Sequence, residues 1–190
     1  MLYSYCLYAC RIQDNSLVGD SMKTNDLQYA LAYPIVHHDG QTRTWDETTP
    51  YAIHPIWCAM TLLSETTLPV ELREIGYQAL LWHDLLEDTD LKKLPLDTPG
   101  GVRELVTEMT FKNFAEEMQK VWERSETTRL LRLYDKVSNL LDGTWMSDEK
   151  WNEYVTYTLK LTEQVEAMCG KNGYGKLNIV KIARAICILR

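Results

Sequence analysis

The chain has 190 residues, of which 45% are hydrophobic and 25% are charged, a composition typical of one globular domain. Its formal net charge of -7 argues against a general attraction to nucleic acid or to an anionic membrane surface. No run of about 18 apolar residues predicts a membrane span. An anionic ligand would therefore need a local basic pocket.

The cysteines are scattered, without a CxxC pair or the spacing of metal ligands. We therefore expect free, reduced thiols, which are typical of a cytoplasmic protein. The first segment, MLYSYCLYACR, lacks a basic leading region and a sustained apolar run, so it is a poor candidate for a signal peptide. The five cysteines are Cys6, Cys10, Cys58, Cys169 and Cys187.

Helical spacing of apolar residues dominates the first half of the chain. Asp26 is a candidate N-cap for a helix through LQYALAYPIVHH, in which Pro34 should cause a kink. After a polar loop, a second helix is predicted to begin at His54, with Pro55 at its first position. A third helix is predicted over about 69–87, because its leucines and isoleucine fall on one side.

The second half continues this pattern. We predict a short helix around 102–109, another near 113–124, and a third over 125–141 with Ser125 as its N-cap. Ser147 should cap a further helix that Gly170 closes. The final KLNIVKIARAICILR fits a helix or a strand by its composition, and we favour a helix. The sequence therefore predicts an all-α bundle.

Four ionisable side chains crowd into the otherwise apolar segment ALLWHDLLEDTD, residues 79–90. On a continuous helix, His83 and Glu87 lie one turn apart, as do Asp84 and Asp88, so all four share one flank. Three carboxylates this close among leucines repel one another and are costly to keep ionised. A divalent cation would remove that conflict. The alternative is a solvated acidic face at a helix end.

A metal site needs further ligands from elsewhere in the chain. His54 at a helix start and Asp135 in RLYDKVSNLL are candidates, and Asn139 faces the same way as Asp135 because the two are spaced four apart. Taken singly, a histidine or an aspartate on a helix is more often structural than a ligand. The combination of three such segments favours a metal site.

Together, YAIHPIWCAM, ALLWHDLLEDTD and RLYDKVSNLL resemble the HD superfamily of metal-dependent phosphohydrolases, in which a His, a His-Asp pair and a distant Asp surround one metal. More narrowly, they are similar to the hydrolase domain of the RelA/SpoT family and its small stand-alone alarmone hydrolases. This narrower match rests on HHDGQTR before PYAIHP, on Glu-Asp-Thr after the His-Asp pair, and on the D-K-x-x-x-N-L form of the last segment. The resemblance implies an HD-type helical bundle in a single domain over 1–190, with a motif core at about 31–142 and C-terminal helices at 143–190.

The resemblance also implies a metal centre and its chemistry. A mixed nitrogen and oxygen ligand set suits manganese, iron or zinc better than calcium, and analogy with the family favours Mn²⁺. A bound divalent ion can lower the pKa of a water from about 15.7 toward 7, which gives a hydroxide nucleophile. Glu87 and Asp88 would orient the water and move protons. The implied metal ligands are His54, His83, Asp84 and Asp135.

For the substrate, the resemblance implies contacts from loop and helix residues. Arg43 has the planar fork suited to phosphate oxygens, and Asn139 would contact the nucleoside. Tyr51 either lines the nucleotide pocket or packs beneath the loop.

The chain departs from the family where basic residues are common, having Thr44 and Leu141 instead. Fewer cations would lower the affinity for a guanosine polyphosphate, so a substrate with less phosphate or a different base is an alternative. Trp57 and Trp82, beside motif residues, could also reshape the pocket, although most of the six tryptophans are expected in the core or at its rim.

Three functions are therefore compared. The first is cytoplasmic, metal-dependent hydrolysis of alarmones such as guanosine 3′,5′-bis(pyrophosphate), with a small nucleotide as the partner and neither nucleic acid nor membrane involved. The second is a general HD nucleotidase that releases phosphate or triphosphate. The third is a catalytically silent HD module, against which Glu87 and Asp88 argue, because a binding module does not need a water-activating pair. The oligomeric state is left open.

Overall fold

A computed structural model of the protein describes residues 27–189. Within this range there are α-helices and short turns but no strand, so the expected all-α fold is confirmed. The expected cap at Asp26 and the segment that contains Cys6 and Cys10 lie outside the described residues. In chain order the helices are α1 (Leu27–His37), α2 (Ile53–Leu63), α3 (Val70–Trp82), α4 (Leu85–Asp88), α5 (Gly100–Met109), α6 (Phe114–Lys120), α7 (Glu126–Leu141), α8 (Asp148–Asn172) and α9 (Asn178–Ile186).

The helix expected over 69–87 is interrupted at the His-Asp pair. α3 ends just before His83, and α4 begins just after Asp84. Asp84 keeps near-helical angles, with φ −91° and ψ −7°, so the amide groups of Glu87 and Asp88 still donate to its carbonyl. Apolar spacing predicted one helix because both segments bury leucines, and a burial pattern does not report a change of direction in the backbone.

The predicted caps of α7 and α8 are present. The Ser125 side chain accepts a hydrogen bond from the Thr128 amide, and the Ser147 side chain accepts one from Lys150. The prediction that Gly170 closes α8 is wrong, because the helix continues to Asn172. Gly173, with φ +70°, ends it instead. A glycine inside a helix lowers its stability without ending it, whereas the left-handed residue after the last turn favours glycine strongly.

α7 is the central helix of the fold and packs against α2, α3, α5, α8 and α9. Most of its residues are buried, including charged ones, and buried charges require partners. α2 and α3 also pack closely, because Gly76 on α3 has no side chain. A Cβ at Gly76 would lie 2.7 Å from Leu62 Cδ2. This packing brings His54 on α2 close to the end of α3.

The last helix, α9, is held by a buried glutamate from the loop after α2. Glu65 is 2% exposed, and its Oε2 and Oε1 atoms accept hydrogen bonds from the amides of Asn178 and Ile179 at 3.0 and 2.9 Å. Amides at a helix start lack partners within the helix, so the carboxylate satisfies them and fixes α9 against α7 and α8.

Other expectations concern thiols and membranes. Among the described residues, Cys58, Cys169 and Cys187 form no disulfide. Among the described residues, no helix is both long enough and apolar enough to cross a bilayer.

Candidate active site

Four side chains from separate parts of the chain converge on one buried point. His54 comes from α2 and Asp135 from α7, whereas His83 and Asp84 lie in the break between α3 and α4. His54 Nε2 is 3.4 Å from Asp84 Oδ2 and 3.3 Å from Asp135 Oδ1. His83 Nε2 is 2.9 Å from Asp84 Oδ1 and 3.7 Å from Asp135 Oδ1. The structure therefore brings together all four residues expected to bind metal.

Both imidazole rings present their Nε2 atoms to this point. His83 Nδ1 donates a hydrogen bond to the Leu80 carbonyl at 2.7 Å, and His54 Nδ1 hydrogen-bonds with Ser138 Oγ at 2.8 Å. His83 Nε2 is buried and lacks a well-aligned hydrogen-bond partner among the described residues. In histidines that bind metals, one ring nitrogen typically makes a hydrogen bond of this kind, which orients the other nitrogen toward the metal. The donor set therefore fits a divalent metal. The supporting contact from Ser138 was not predicted from the sequence.

The charges of the cluster are strongly coupled. Burial opposes ionisation, but the neighbouring histidines and cations outweigh it and hold the pKa values of Asp84 and Asp135 well below the usual range. Burial alone would lower the pKa of His83, yet the two carboxylates raise it to about 10. His83 and Asp84 are 0% and 6% exposed, so the alternative of a solvated acidic face does not describe them. A bound cation would replace the proton that His83 otherwise holds.

Asp135 is held on its far side by a buried network that the sequence analysis missed. Its Oδ2 atom is 3.0 Å from Lys136 Nζ and 3.2 Å from Arg132 Nη1, while Oδ1 faces the histidines. Glu117 on α6 accepts hydrogen bonds from Arg132, from Lys136 at 2.8 Å and from the Tyr157 hydroxyl at 2.9 Å. The spacing of four between Arg132 and Lys136 signals a shared helix face, but the sequence does not reveal the partner on α6.

Glu87 and Asp88 lie beside the cluster without joining it. Glu87 Oε1 accepts a hydrogen bond from the Phe111 amide at 2.7 Å. Burial, with a contribution from Asp84 that Arg132 opposes, raises the pKa of Glu87 to about 7. Burial and Asp84 also raise the pKa of Asp88. The pKa of Glu87 therefore suits this carboxyl group to exchange protons near neutral pH.

The Tyr51 hydroxyl connects the cluster to Asp88. It lies 2.7 Å from Asp84 Oδ2 and 2.8 Å from Asp88 Oδ2, and its ring stacks on His38 with centroids 4.5 Å apart. Burial and the two carboxylates raise the pKa of Tyr51, so the hydroxyl stays protonated and donates a hydrogen bond to a carboxylate. Tyr51 lines the cavity described below as well as supporting the cluster.

Arg43 is hydrogen-bonded to Asn139 near the end of α7 and to Asp142 just after it. Its Nε donates to Asp142 Oδ2 at 2.6 Å, and its Nη2 donates to Asp142 Oδ1 at 3.0 Å and to Asn139 Oδ1 at 2.8 Å. Asn139 in turn donates to Asp135 Oδ1 at 2.7 Å. Asp142 was not predicted, because it lies 99 positions from Arg43 in the sequence.

A cavity of about 710 Å³ opens beside the cluster. Thr44 lines it, whereas Leu141 does not. The expectation that Trp57 and Trp82 reshape the pocket is wrong, since neither lines it and Trp82 is fully buried, with its indole N–H donating to a backbone carbonyl at 3.0 Å. Predicted site residues that line the cavity are Arg43, Tyr51, Asp84, Glu87, Asp88, Asp135 and Asn139.

An all-helical fold that gathers two histidines and two aspartates beside such a cavity defines an HD-type metal-dependent phosphohydrolase, a class whose members require a divalent metal. A solved structure, titled "A metazoan ortholog of SpoT hydrolyzes ppGpp and plays a role in starvation responses", has the same fold. Its TM-score is 0.67 at 24% sequence identity, and the match covers 88% of this chain and 94% of that one. No model of a known protein family matches the chain.

Sequence similarity to known relatives identifies the family within this class. The human protein named guanosine-3′,5′-bis(diphosphate) 3′-pyrophosphohydrolase MESH1 is 32% identical over 126 residues, which cover 62% of this chain and 69% of that protein. Its Xenopus tropicalis counterpart is 29% identical over 164 residues, 80% of this chain and 90% of that protein. A Vibrio cholerae protein of the same enzyme name is 45% identical over 71 residues, only 9% of its length. The chain belongs to the MESH1 family of guanosine-3′,5′-bis(diphosphate) 3′-pyrophosphohydrolases.

Proposed function

We propose that this hydrolase cleaves guanosine 3′,5′-bis(pyrophosphate) or a closely related alarmone in the cytoplasm, releasing pyrophosphate from the 3′ position, with Mn²⁺ as its metal. The observation that carries this proposal is the convergence of His54, His83, Asp84 and Asp135 next to two carboxylates with raised pKa values. The names of the relatives support the choice of substrate. We also propose that 1–190 forms one HD-type domain, with a motif core at about 31–142 and C-terminal helices at 143–190.

The buried cluster would hold the metal through two imidazole nitrogens and the carboxylates of Asp84 and Asp135. A divalent ion bound there supplies a more acidic water and offsets phosphate charge. The network of Arg132, Lys136 and Glu117 holds Asp135 with Oδ1 toward the histidines. This arrangement keeps the donor atoms in place before substrate arrives, so less reorganisation is needed during the reaction.

The carboxylates beside the cluster perform the proton transfers in this proposal. Hydrolysis joins a water oxygen to the phosphorus attached to O3′ and breaks the bond between that phosphorus and O3′. The Phe111 amide holds Glu87 Oε1, which leaves Oε2 to take the proton that the water loses. We assign to Asp88, which lies beside the cluster and is hydrogen-bonded to the Tyr51 hydroxyl, the supply of a proton to the departing O3′. Protons therefore balance, because one is taken up and one is released.

Arg43, Tyr51 and Asn139 would position the substrate. Arg43 is fixed by Asp142 and Asn139, and its Nη1 group, which makes neither of those bonds, is the group we expect to donate to phosphate oxygens. Asn139 accepts a hydrogen bond from Arg43, donates one to Asp135 and lines the cavity, so its amide is available to contact the nucleoside. Tyr51 lines the cavity beside Asp88, to which its hydroxyl is hydrogen-bonded.

The test uses full-length protein stripped of metal and reloaded with Mn²⁺, incubated with guanosine tetraphosphate, with products separated by chromatography. We expect GDP and pyrophosphate in equal amounts. Asp84→Ala should lose bound metal and activity together, whereas Asp90→Ala, an exposed acid outside the cavity lining, should change neither. Phosphate or triphosphate from other nucleotides, with no pyrophosphate from guanosine tetraphosphate, would favour the general nucleotidase. Nucleotide binding without any product would favour the silent module.

A further inference from the structure

Aromatic rings line part of the cavity. Trp145 lies in the turn Gly143–Trp145 that follows α7, and it is 38% exposed. Phe114 and Tyr154 line the same cavity, and their rings stack with centroids 4.1 Å apart and an interplanar angle of 23°. None of these rings belongs to the motif segments. The cavity therefore combines a polar, metal-binding part with aromatic surface.

The turn that carries Trp145 is held firmly. A Cβ at Gly143 would lie 2.9 Å from Trp151 Cζ3, so the turn packs directly on α8, and the neighbouring Met146 is 3% exposed. Lys150 places its ammonium group 4.2 Å from the centre of the Trp145 ring. An indole fixed in this way loses little conformational freedom when a ligand binds, which favours its use as a contact surface.

Three of the four cations that line the cavity are engaged with carboxylates, and the fourth, Lys112, is exposed. Asp142 holds Arg43, and Glu117 holds Arg132 and Lys136. Thr44 adds no charge at the position after Arg43. An anionic substrate thus gains less from these groups than from unpaired ones, because each is already neutralised by a neighbour. We therefore expect binding to the nucleoside part to supply a larger share of the affinity than it would beside unpaired cations.

We propose that Trp145 stacks on the purine base of the substrate, with the Phe114–Tyr154 pair completing an aromatic subsite for the nucleoside. Asn139, which joins Arg43 to Asp135, lies on the helix that ends just before Trp145, so the subsite is continuous with the expected nucleoside contact. Stacking recognises the face of a base rather than its edge. The subsite therefore accepts guanine and adenine nucleotides with similar affinity. This inference rests on the proposed function for the identity of the substrate.

The direct test is binding of GDP to the metal-free, full-length protein, followed by calorimetry and by tryptophan fluorescence. Trp145→Ala should raise the Kd for GDP on the order of tenfold to a hundredfold, the usual range for loss of one base-stacking contact, and should remove most of the fluorescence quenching. Trp145→Phe should keep much of the affinity. Trp45→Ala is the matched control, because Trp45 is 50% exposed and does not line the cavity; it should bind GDP as the wild type does.

A second measurement separates stacking from a general loss of structure. Inorganic pyrophosphate has no base, so Trp145→Ala should bind it as tightly as the wild type, and ADP should bind the wild type about as well as GDP does. An unchanged Kd for GDP, or an equal loss for pyrophosphate, would overturn the inference.

Kinetics distinguish this inference from the proposed function. With guanosine tetraphosphate and Mn²⁺, Trp145→Ala should raise KM while kcat changes little. If the wild type releases no pyrophosphate but Trp145 still controls GDP binding, the proposed function fails and the subsite stands. If pyrophosphate is released and Trp145→Ala leaves KM unchanged, the subsite fails and the function stands.

Discussion

Glu87 illustrates how the burial of one carboxyl group prepares it for proton transfer. It is half-buried, a backbone amide holds one of its oxygens, and its pKa is raised to about 7. Arg132 opposes this rise but does not cancel it, because Arg132 is itself engaged with Glu117 and Asp135. A carboxyl group with a pKa near neutrality can both accept and return a proton at physiological pH.

For activity, Glu87→Gln keeps the shape of the side chain and its Oε1 acceptor but cannot exchange a proton. We expect bound metal to remain nearly intact and kcat to fall by about 10²- to 10⁴-fold, as is typical when an acid-base group is lost. Metal analysis and steady-state kinetics on the same preparation would check this. A normal kcat would reassign Glu87 to a structural role, and Glu104→Gln, at an exposed position on α5, should have no effect.

The same substitution has a consequence for stability in the metal-free protein. Because the folded pKa of Glu87 is raised from 4.5 to about 7, the folded state keeps a proton that the unfolded state loses. The contribution of Glu87 to the free energy of unfolding is fully present below about pH 4.5 and is lost as pH rises through about 7. Glu87→Gln should therefore gain about 2 kcal/mol relative to the wild type between about pH 4.5 and 8. Urea unfolding at both pH values measures this difference, and a constant difference would contradict it.

At the scale of elements, the break between α3 and α4 determines the directions of two side chains that we expect to bind the metal. His83 and Asp84 fall in this break, with the Nε2 atom of one and a carboxylate oxygen of the other directed to the same buried point. The following turn directs Glu87 toward the Phe111 amide and Asp88 toward Tyr51. Adjacent residues of the motif therefore take different roles because the helix does not continue through them.

The start of α9 is held across the bundle by Glu65. Glu65→Ala would leave the amides of Asn178 and Ile179 without their acceptors, and we expect a loss of about 2–4 kcal/mol in the free energy of unfolding. Glu65→Gln, which keeps only one acceptor oxygen, should lose about half as much. Glu74→Ala, at an exposed position on α3, serves as the control in chemical denaturation. Equal stability of Glu65→Ala and Glu74→Ala would contradict the cap.

At the scale of the whole molecule, one cation would tie together α2, α7 and the break after α3. In the metal-free state the pKa of His83 is raised to about 10, so metal binding near neutral pH must displace a proton. Affinity for Mn²⁺ should therefore increase with pH, by up to about tenfold per unit, and the melting temperature with Mn²⁺ should rise in parallel.

Calorimetry of Mn²⁺ binding in two buffers with different heats of protonation would measure the released proton directly. Asp84→Ala should show neither the proton release nor the shift in melting temperature. An affinity for Mn²⁺ that does not change with pH would exclude the proposed exchange of a proton for the metal at His83.

The sequence by itself determined the helical fold and the residues that meet in the buried cluster. Apolar spacing defines most helices because their buried faces repeat locally, and the motif residues at 54, 83, 84 and 135 are recognisable by type and order. Side-chain caps such as Ser125 and Ser147 could also be predicted, since each acts on an amide three positions away.

Only the tertiary structure decided which groups hold these residues in place. Asp142 and Asn139 lie 99 and 96 positions from Arg43, and Glu65 lies 114 positions from the Ile179 amide that it accepts from. Such pairings depend on how α2, α7 and α9 pack, and the local pattern of apolar residues carries no record of that packing. The break at His83 and Asp84, the buried Glu117 network and the aromatic lining at Trp145 emerged only from the fold, because each depends on contacts between helices rather than on a helical period.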